Sequence, residues 1–136
     1  MKQFFFFAII ILFVSCKFST STYKSGKNLY ENYCSSCHGK TGEGLGQWYP
    51  SLKDTQYLKS NRNLIPLWII HGIQPDSSSI FKGRFNLVEM PANKSISEAD
   101  LCNLLNYINE EYWQFKSYEL QEVSTMIKQF NADQKH

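Results

Sequence analysis

Cys34-Ser35-Ser36-Cys37-His38 are the residues of this chain best suited to chemistry. The spacing C-x-x-C-H is that of covalent haem attachment. The two thiols add across the two vinyl groups of the porphyrin and fix it to one turn of chain. The histidine beside the second thiol then lies under the iron and binds it through a ring nitrogen, which requires a neutral imidazole. A haem held in this way passes single electrons.

Three other chemistries compete for the same residues. A thioredoxin-type C-x-x-C needs a strand delivering the motif and a helix after it. Here a helical stretch leads into the motif, and Gly39-Lys40-Thr41-Gly42-Glu43-Gly44 follows with no alternating pattern nearby. A structural zinc site needs a second ligand pair, and after the motif only Cys102, His71 and His136 remain. A plain disulfide between Cys34 and Cys37 is the simplest alternative.

The elements that must position these residues are helical. A first helix is expected from about Ser25 to Cys34, with Leu29, Tyr30 and Tyr33 on one side. Gly26 is a poor residue for an isolated helix, so another backbone is expected to pass close by. After the glycine-rich loop, Asp54 can cap a short helix carrying Tyr57 and Leu58. The next helix reads from Asn63 to Gly72, with Pro66 confining its start to the turn before it and Gly72 as a natural stop. Ser97 with Asp100 marks the next helix start, and Ile96 can staple against Leu101. Leu101, Leu104, Leu105 and Ile108 then form a buried stripe. A last amphipathic stretch carries Leu120, Val123, Ile127 and Phe130. No segment sustains the period of a strand, so the fold class is all-α.

The ends of the chain address location. Met1-Lys2-Gln3 precedes an apolar run from Phe4 to Val14, the pattern of an export signal core and too short to span a bilayer. Ser15-Cys16 after it resembles a bacterial lipoprotein signal, cut before a cysteine that is then lipidated, although Phe13 stands where leucine is usual. The alternatives are an ordinary export signal or an uncleaved anchor. Residues 1–15 are thus expected to be the leader, with 16–22 a short polar tether. The chain carries 14 basic and 12 acidic residues, and Lys2 leaves with the leader. That balance gives no case for nucleic acid as a partner.

Taken together the chain resembles a class I cytochrome c from about Tyr23 to Ile108. The haem motif closes the first helix. Pro50-x-Leu52 stands where that family keeps a proline whose carbonyl bonds the free N–H of the proximal histidine, here His38. Met90-Pro91-Ala92 precedes the capped C-terminal helix, where the family places its distal ligand. Gly26 and Tyr30, with Leu104 and Tyr107, resemble the positions at which the first and last helices cross. The resemblance implies a cytochrome c fold over 23–110, one covalent haem c on Cys34 and Cys37, and axial ligands His38 and Met90. Residues 111–136 resemble the helical extensions of small bacterial respiratory cytochromes.

Met90 has alternatives: it can be a core methionine, and His71 can make a bis-histidine haem instead. Cys102 reads as a small buried apolar residue. The function implied is one-electron transfer for a membrane respiratory chain, without enzymatic turnover at the iron, either as a free carrier or as the fixed cytochrome subunit of a larger oxidoreductase. Its partners would be a membrane oxidase, reductase or dehydrogenase, met on the periplasmic side of the bacterial membrane that anchors Cys16. A haem sensor with a labile distal ligand is the alternative. Haem-based catalysis ranks last, because no histidine or arginine precedes Met90 at a persuasive spacing.

Overall fold

The computed structural model describes residues 22–74 and 88–134. The leader, Cys16, most of the tether, residues 75–87 and His136 lie outside them. Helices α1 (Lys24–Tyr33) and α2 (Ser35–His38) carry the haem motif. They are followed by α3 (Thr55–Ser60), α4 (Ile65–His71) and α5 (Glu98–Ile108). A π-helical turn, Asn109–Trp113, extends α5, and α6 (Leu120–Asp133) closes the order. Among the described residues the only β pairings are two isolated bridges, Leu45 with Tyr49 and Ile73 with Met90. The architecture is all-α, and no described helix is long and apolar enough to cross a membrane.

Local chemistry fixes the helix ends. Asp54 accepts a hydrogen bond from the Tyr57 N–H at 3.4 Å, and Pro66 sits in the first turn of α4. Ser97 Oγ accepts from the Asp100 N–H at 3.1 Å and donates to the Asp100 carboxylate at 2.8 Å. Glu98 and Asp100 also place negative charge at the positive end of the α5 dipole.

The core forms where α1 crosses α5. Tyr30, Leu101, Leu104 and Leu105 are fully buried, and each burial of this kind is worth about 1.5–3 kcal/mol. Gly26 explains the close approach. A Cβ at that position would overlap the Asn103 carbonyl oxygen and lie 2.7 Å from Tyr107 Cβ. The Tyr30 and Tyr107 rings meet alongside with centroids 5.7 Å apart. Tyr33, expected on the same inner side, is instead 60% exposed. It is the last residue of α1, where the helix runs past the crossing and ends at a cavity mouth.

Beyond α5 two asparagines substitute for backbone. Asn106 donates to the Tyr118 carbonyl at 2.9 Å and accepts from the Tyr118 N–H at 2.8 Å. Asn109 holds Phe115 in the same two-way manner, at 3.0 and 2.7 Å. These clips return the chain against the domain, and α6 packs on α4 and α5 through the fully buried Val123 with Ser124 and Ile127. Leu120, expected on the buried face, is 50% exposed. The reciprocal capping box of Glu119 and Glu122 takes up the first turn of α6, and inward contact begins at Val123.

Candidate functional site

Cys34 lies between α1 and α2, and Cys37 and His38 lie on the single turn of α2. All three face one cavity of about 340 Å³, a volume typical of small-molecule and cofactor sites. Burial, with the Cys37 sulfur nearby as a lesser cause, pushes the Cys34 thiol up to about 11. Among the described residues no disulfide joins Cys34, Cys37 or Cys102.

The main chain after the motif folds back to serve His38. The Gly44 N–H donates to the His38 carbonyl at 2.8 Å, and the Leu52 N–H donates to the Gly42 carbonyl at 2.9 Å. This brings the Pro50 carbonyl to 2.9 Å from His38 Nδ1. A carbonyl only accepts, so Nδ1 carries the proton and Nε2 keeps its lone pair. Burial lowers the His38 pKa, against a smaller raising effect of the Pro50 bond, which favours the neutral ring.

Met90 lines the same cavity. Its segment is held by α4: Ile73 and Met90 exchange main-chain hydrogen bonds at 2.9 and 3.0 Å, and the Asn93 N–H donates to the Ile69 carbonyl at 2.9 Å. An inner recess of about 90 Å³ also borders on Cys34, His38, Pro50, Ile69 and Met90. Tyr57 and Trp68 wall this recess with their rings stacked, centroids 6.4 Å apart. Tyr33, Trp48 and Val88 stand exposed at the outer cavity.

The expected site residues Cys34, Cys37, His38, Pro50 and Met90 therefore come together around one apolar space. His71 does not line it; its exposed ring lies against Phe130 with centroids 4.6 Å apart. Met126 is on α6. Cys102 is buried away from the cavity, with its thiol 3.4 Å from the Tyr118 carbonyl. Cys16 lies outside the described residues.

Other residues at the site carry weaker sequence signals. Trp113 borders the inner recess, and its indole N–H donates to the Leu52 carbonyl at 2.7 Å. Nothing in its local sequence points to that contact. Gly72 reads in the sequence only as a helix stop. In the fold it also leaves room for the Met90 carbonyl, from which an added Cβ would be 2.5 Å away.

Two thiols and a neutral imidazole facing apolar walls are the groups by which a chain holds a covalent haem, and the Met90 thioether lines the same cavity. An all-α domain built around such a set is a c-type cytochrome. Residues 21–108 match the family described as cytochrome c oxidase, cbb3-type, subunit III, and the chain belongs to that family. No match was found among curated proteins. Membership implies covalently bound haem c. Domains of this type are generally electron carriers, and typically exported and membrane-associated.

Proposed function

We propose that this chain is a one-electron carrier of class I type, with a single haem c on Cys34 and Cys37 and with His38 and Met90 as axial ligands. The observation that carries this reading is the meeting of all four side chains at one apolar cavity. A haem bound there supplies reversible exchange of one electron at its iron. His38, fixed by Pro50, presents Nε2, and the hydrogen bond at Nδ1 raises the basicity of the ring as a ligand. Met90 would supply its thioether as the second protein ligand to that iron, so that no place for a substrate would remain there. Its thioether raises the potential into a carrier range. The apolar walls exclude water and lower the local dielectric, which further favours the less charged redox state.

Electrons enter and leave in this reading at the cavity mouth, where Tyr33, Trp48 and Val88 are exposed. The family description names a terminal oxidase, and an oxidase, reductase or dehydrogenase of a membrane respiratory chain is the partner proposed here. Residues 1–15 are the leader in this reading and Cys16 carries the lipid. Residues 16–22 tether the 23–110 domain to the periplasmic face of the membrane, and 111–136 form its extension. A two-chain lipid anchor is sufficient to hold so small a carrier stably.

The test is an optical spectrum of the mature protein made with haem-maturation machinery, oxidised and reduced. A c-type spectrum with the ferric charge-transfer band of methionine ligation is expected. Met90→Ala should abolish that band, lower the potential sharply and admit carbon monoxide to the ferrous protein. A wild type that already lacks the band and binds carbon monoxide replaces this reading with a haem sensor. Absence of covalent haem returns Cys34 and Cys37 to thiol chemistry.

A further inference from the structure

The π-helical turn Asn109–Trp113 begins where the family match ends, at residue 108. Such turns insert an extra residue into a helix and re-aim the side chains that follow. Here the effect falls on two neighbours. Tyr112 packs over Gly42, where an added Cβ would lie 2.9 Å from its ring. Trp113, 5% exposed, donates its indole N–H to the Leu52 carbonyl at 2.7 Å. Gly42 and Leu52 are themselves joined by the Leu52 N–H to Gly42 carbonyl hydrogen bond of 2.9 Å. The turn therefore holds both ends of the loop segment, Gly42 and Leu52, that carries Pro50.

Trp113 is held firmly enough to act as a fixed point. The turn closes with the Gln114 N–H on the Asn109 carbonyl at 2.9 Å, and the Asn109 side chain clips Phe115. The Phe115 ring stacks on Trp113 with centroids 5.5 Å apart and planes 19° from parallel. From Trp113 the connection runs through the Leu52 carbonyl and along the main chain to the Pro50 carbonyl, which accepts the His38 Nδ1–H at 2.9 Å.

We propose that Trp113 is a positioning residue for the iron site: its indole N–H, acting through Leu52 and Pro50, sets the hydrogen bond on His38 and so tunes the proximal ligand. The inference rests on the haem reading of His38 given above. Losing the indole N–H frees the Leu52 carbonyl, lets Pro50 drift and weakens the bond on His38 Nδ1. A less basic imidazole stabilises ferric iron less, so the midpoint potential rises.

The experiment compares the wild-type holoprotein with Trp113→Phe and Asn106→Ala. Trp113→Phe keeps an aromatic ring and removes the N–H. Asn106→Ala cuts the clip at Tyr118 and destabilises the fold without touching Leu52. Covalent haem on denaturing gels, the midpoint potential and hydrogen exchange of the His38 Nδ1–H are measured for each.

Trp113→Phe should retain covalent haem, raise the potential and speed exchange by about tenfold, the scale of one lost hydrogen bond. Asn106→Ala should shift neither quantity. Unchanged potential and exchange in Trp113→Phe overturn the positioning role alone. Equal shifts in both variants show a general loosening and overturn it too. A wild type without covalent haem overturns the haem reading and this inference together.

Discussion

Ile73 and Met90 pair main chain to main chain across the ends of a long connection, each donating to the other at 2.9 and 3.0 Å. The bridge fixes the backbone of Met90 to the end of α4 independently of anything its sulfur contacts. Gly72 lies directly beneath. Its φ of 74° with ψ of 179° is a conformation that residues with a Cβ avoid. An added Cβ would also sit 2.5 Å from the Met90 carbonyl oxygen and 2.8 Å from the Ala92 nitrogen.

Gly72→Ala is therefore expected to displace the Met90 segment while leaving the α1–α5 crossing intact. The strain amounts to about 1–3 kcal/mol if the bridge holds, and the segment relieves it by moving away. With Met90 as the distal ligand, the holoprotein should lose most of its methionine charge-transfer band, and its potential should fall. Far-UV circular dichroism should hardly change. A variant with an unaltered band and potential would show that the bridge does not set the position of Met90.

A second glycine tests the core. Gly26→Ala drives a methyl group into the Asn103 carbonyl and toward Tyr107 Cβ, and backbone cannot move aside as a flexible side chain can. Overpacking of this kind costs about 1–3 kcal/mol. The melting temperature should fall by roughly 5–10 °C. Equilibrium urea unfolding of the holoprotein measures it directly, and a loss below about 0.5 kcal/mol would mean that the helices do not cross so closely in solution.

The α1–α5 crossing was legible because several independent signals agreed. Gly26 in a helix and the stripe of Leu101, Leu104, Leu105 and Ile108 each require a close partner, and the Ser97 cap marks where α5 begins. The haem motif was legible because its spacing is specific, and Pro50 and Met90 entered through the family pattern. The Ile73–Met90 bridge was not, since a single pair of residues leaves no periodic trace. Trp113 and Arg62 leave no local signal for a related reason: the Trp113 indole bonds the distant Leu52 carbonyl, and the Arg62 guanidinium bonds the distant Glu122 carboxylate. Tyr33 and Leu120 went astray because a helical period gives the face of a residue, whereas its position along the axis decides whether a partner is there to cover it.

The return of the chain after α5 depends on Asn106. Asn106→Ala leaves the N–H of Tyr118 buried without its acceptor and its carbonyl with the weaker Cys102 thiol, 3.4 Å away, as its side-chain partner. An orphaned buried N–H costs about 1–3 kcal/mol, so a loss of about 2 kcal/mol and a drop of roughly 8 °C in melting temperature are expected. The midpoint potential should stay put. A stability change under about 1 kcal/mol would indicate that the 114–119 segment is held mainly by Arg62 and Tyr118.

Arg62 makes the fold sensitive to acid. Its guanidinium pairs with Glu122 at 2.5 Å, donates to the Lys116 and Ser117 carbonyls at 3.2 and 3.3 Å, and lies 3.9 Å from the centre of the Tyr118 ring. The Arg62 hydrogen bond, outweighing burial, holds the Glu122 carboxyl below its usual range. A carboxyl with a depressed folded-state pKa contributes stability above its unfolded value, about 4.3, and that stability is lost as pH falls through the folded value. Glu122→Gln should therefore cost about 1–2 kcal/mol at pH 7, and the gap from wild type should close on acidification below about pH 4. Glu43, also depressed, by its own main-chain amide and by Thr41, titrates in both proteins and drops out of the difference. Urea midpoints from about pH 3 to 7 give the two curves. Parallel curves with a constant gap would show that the pair contributes shape rather than charge.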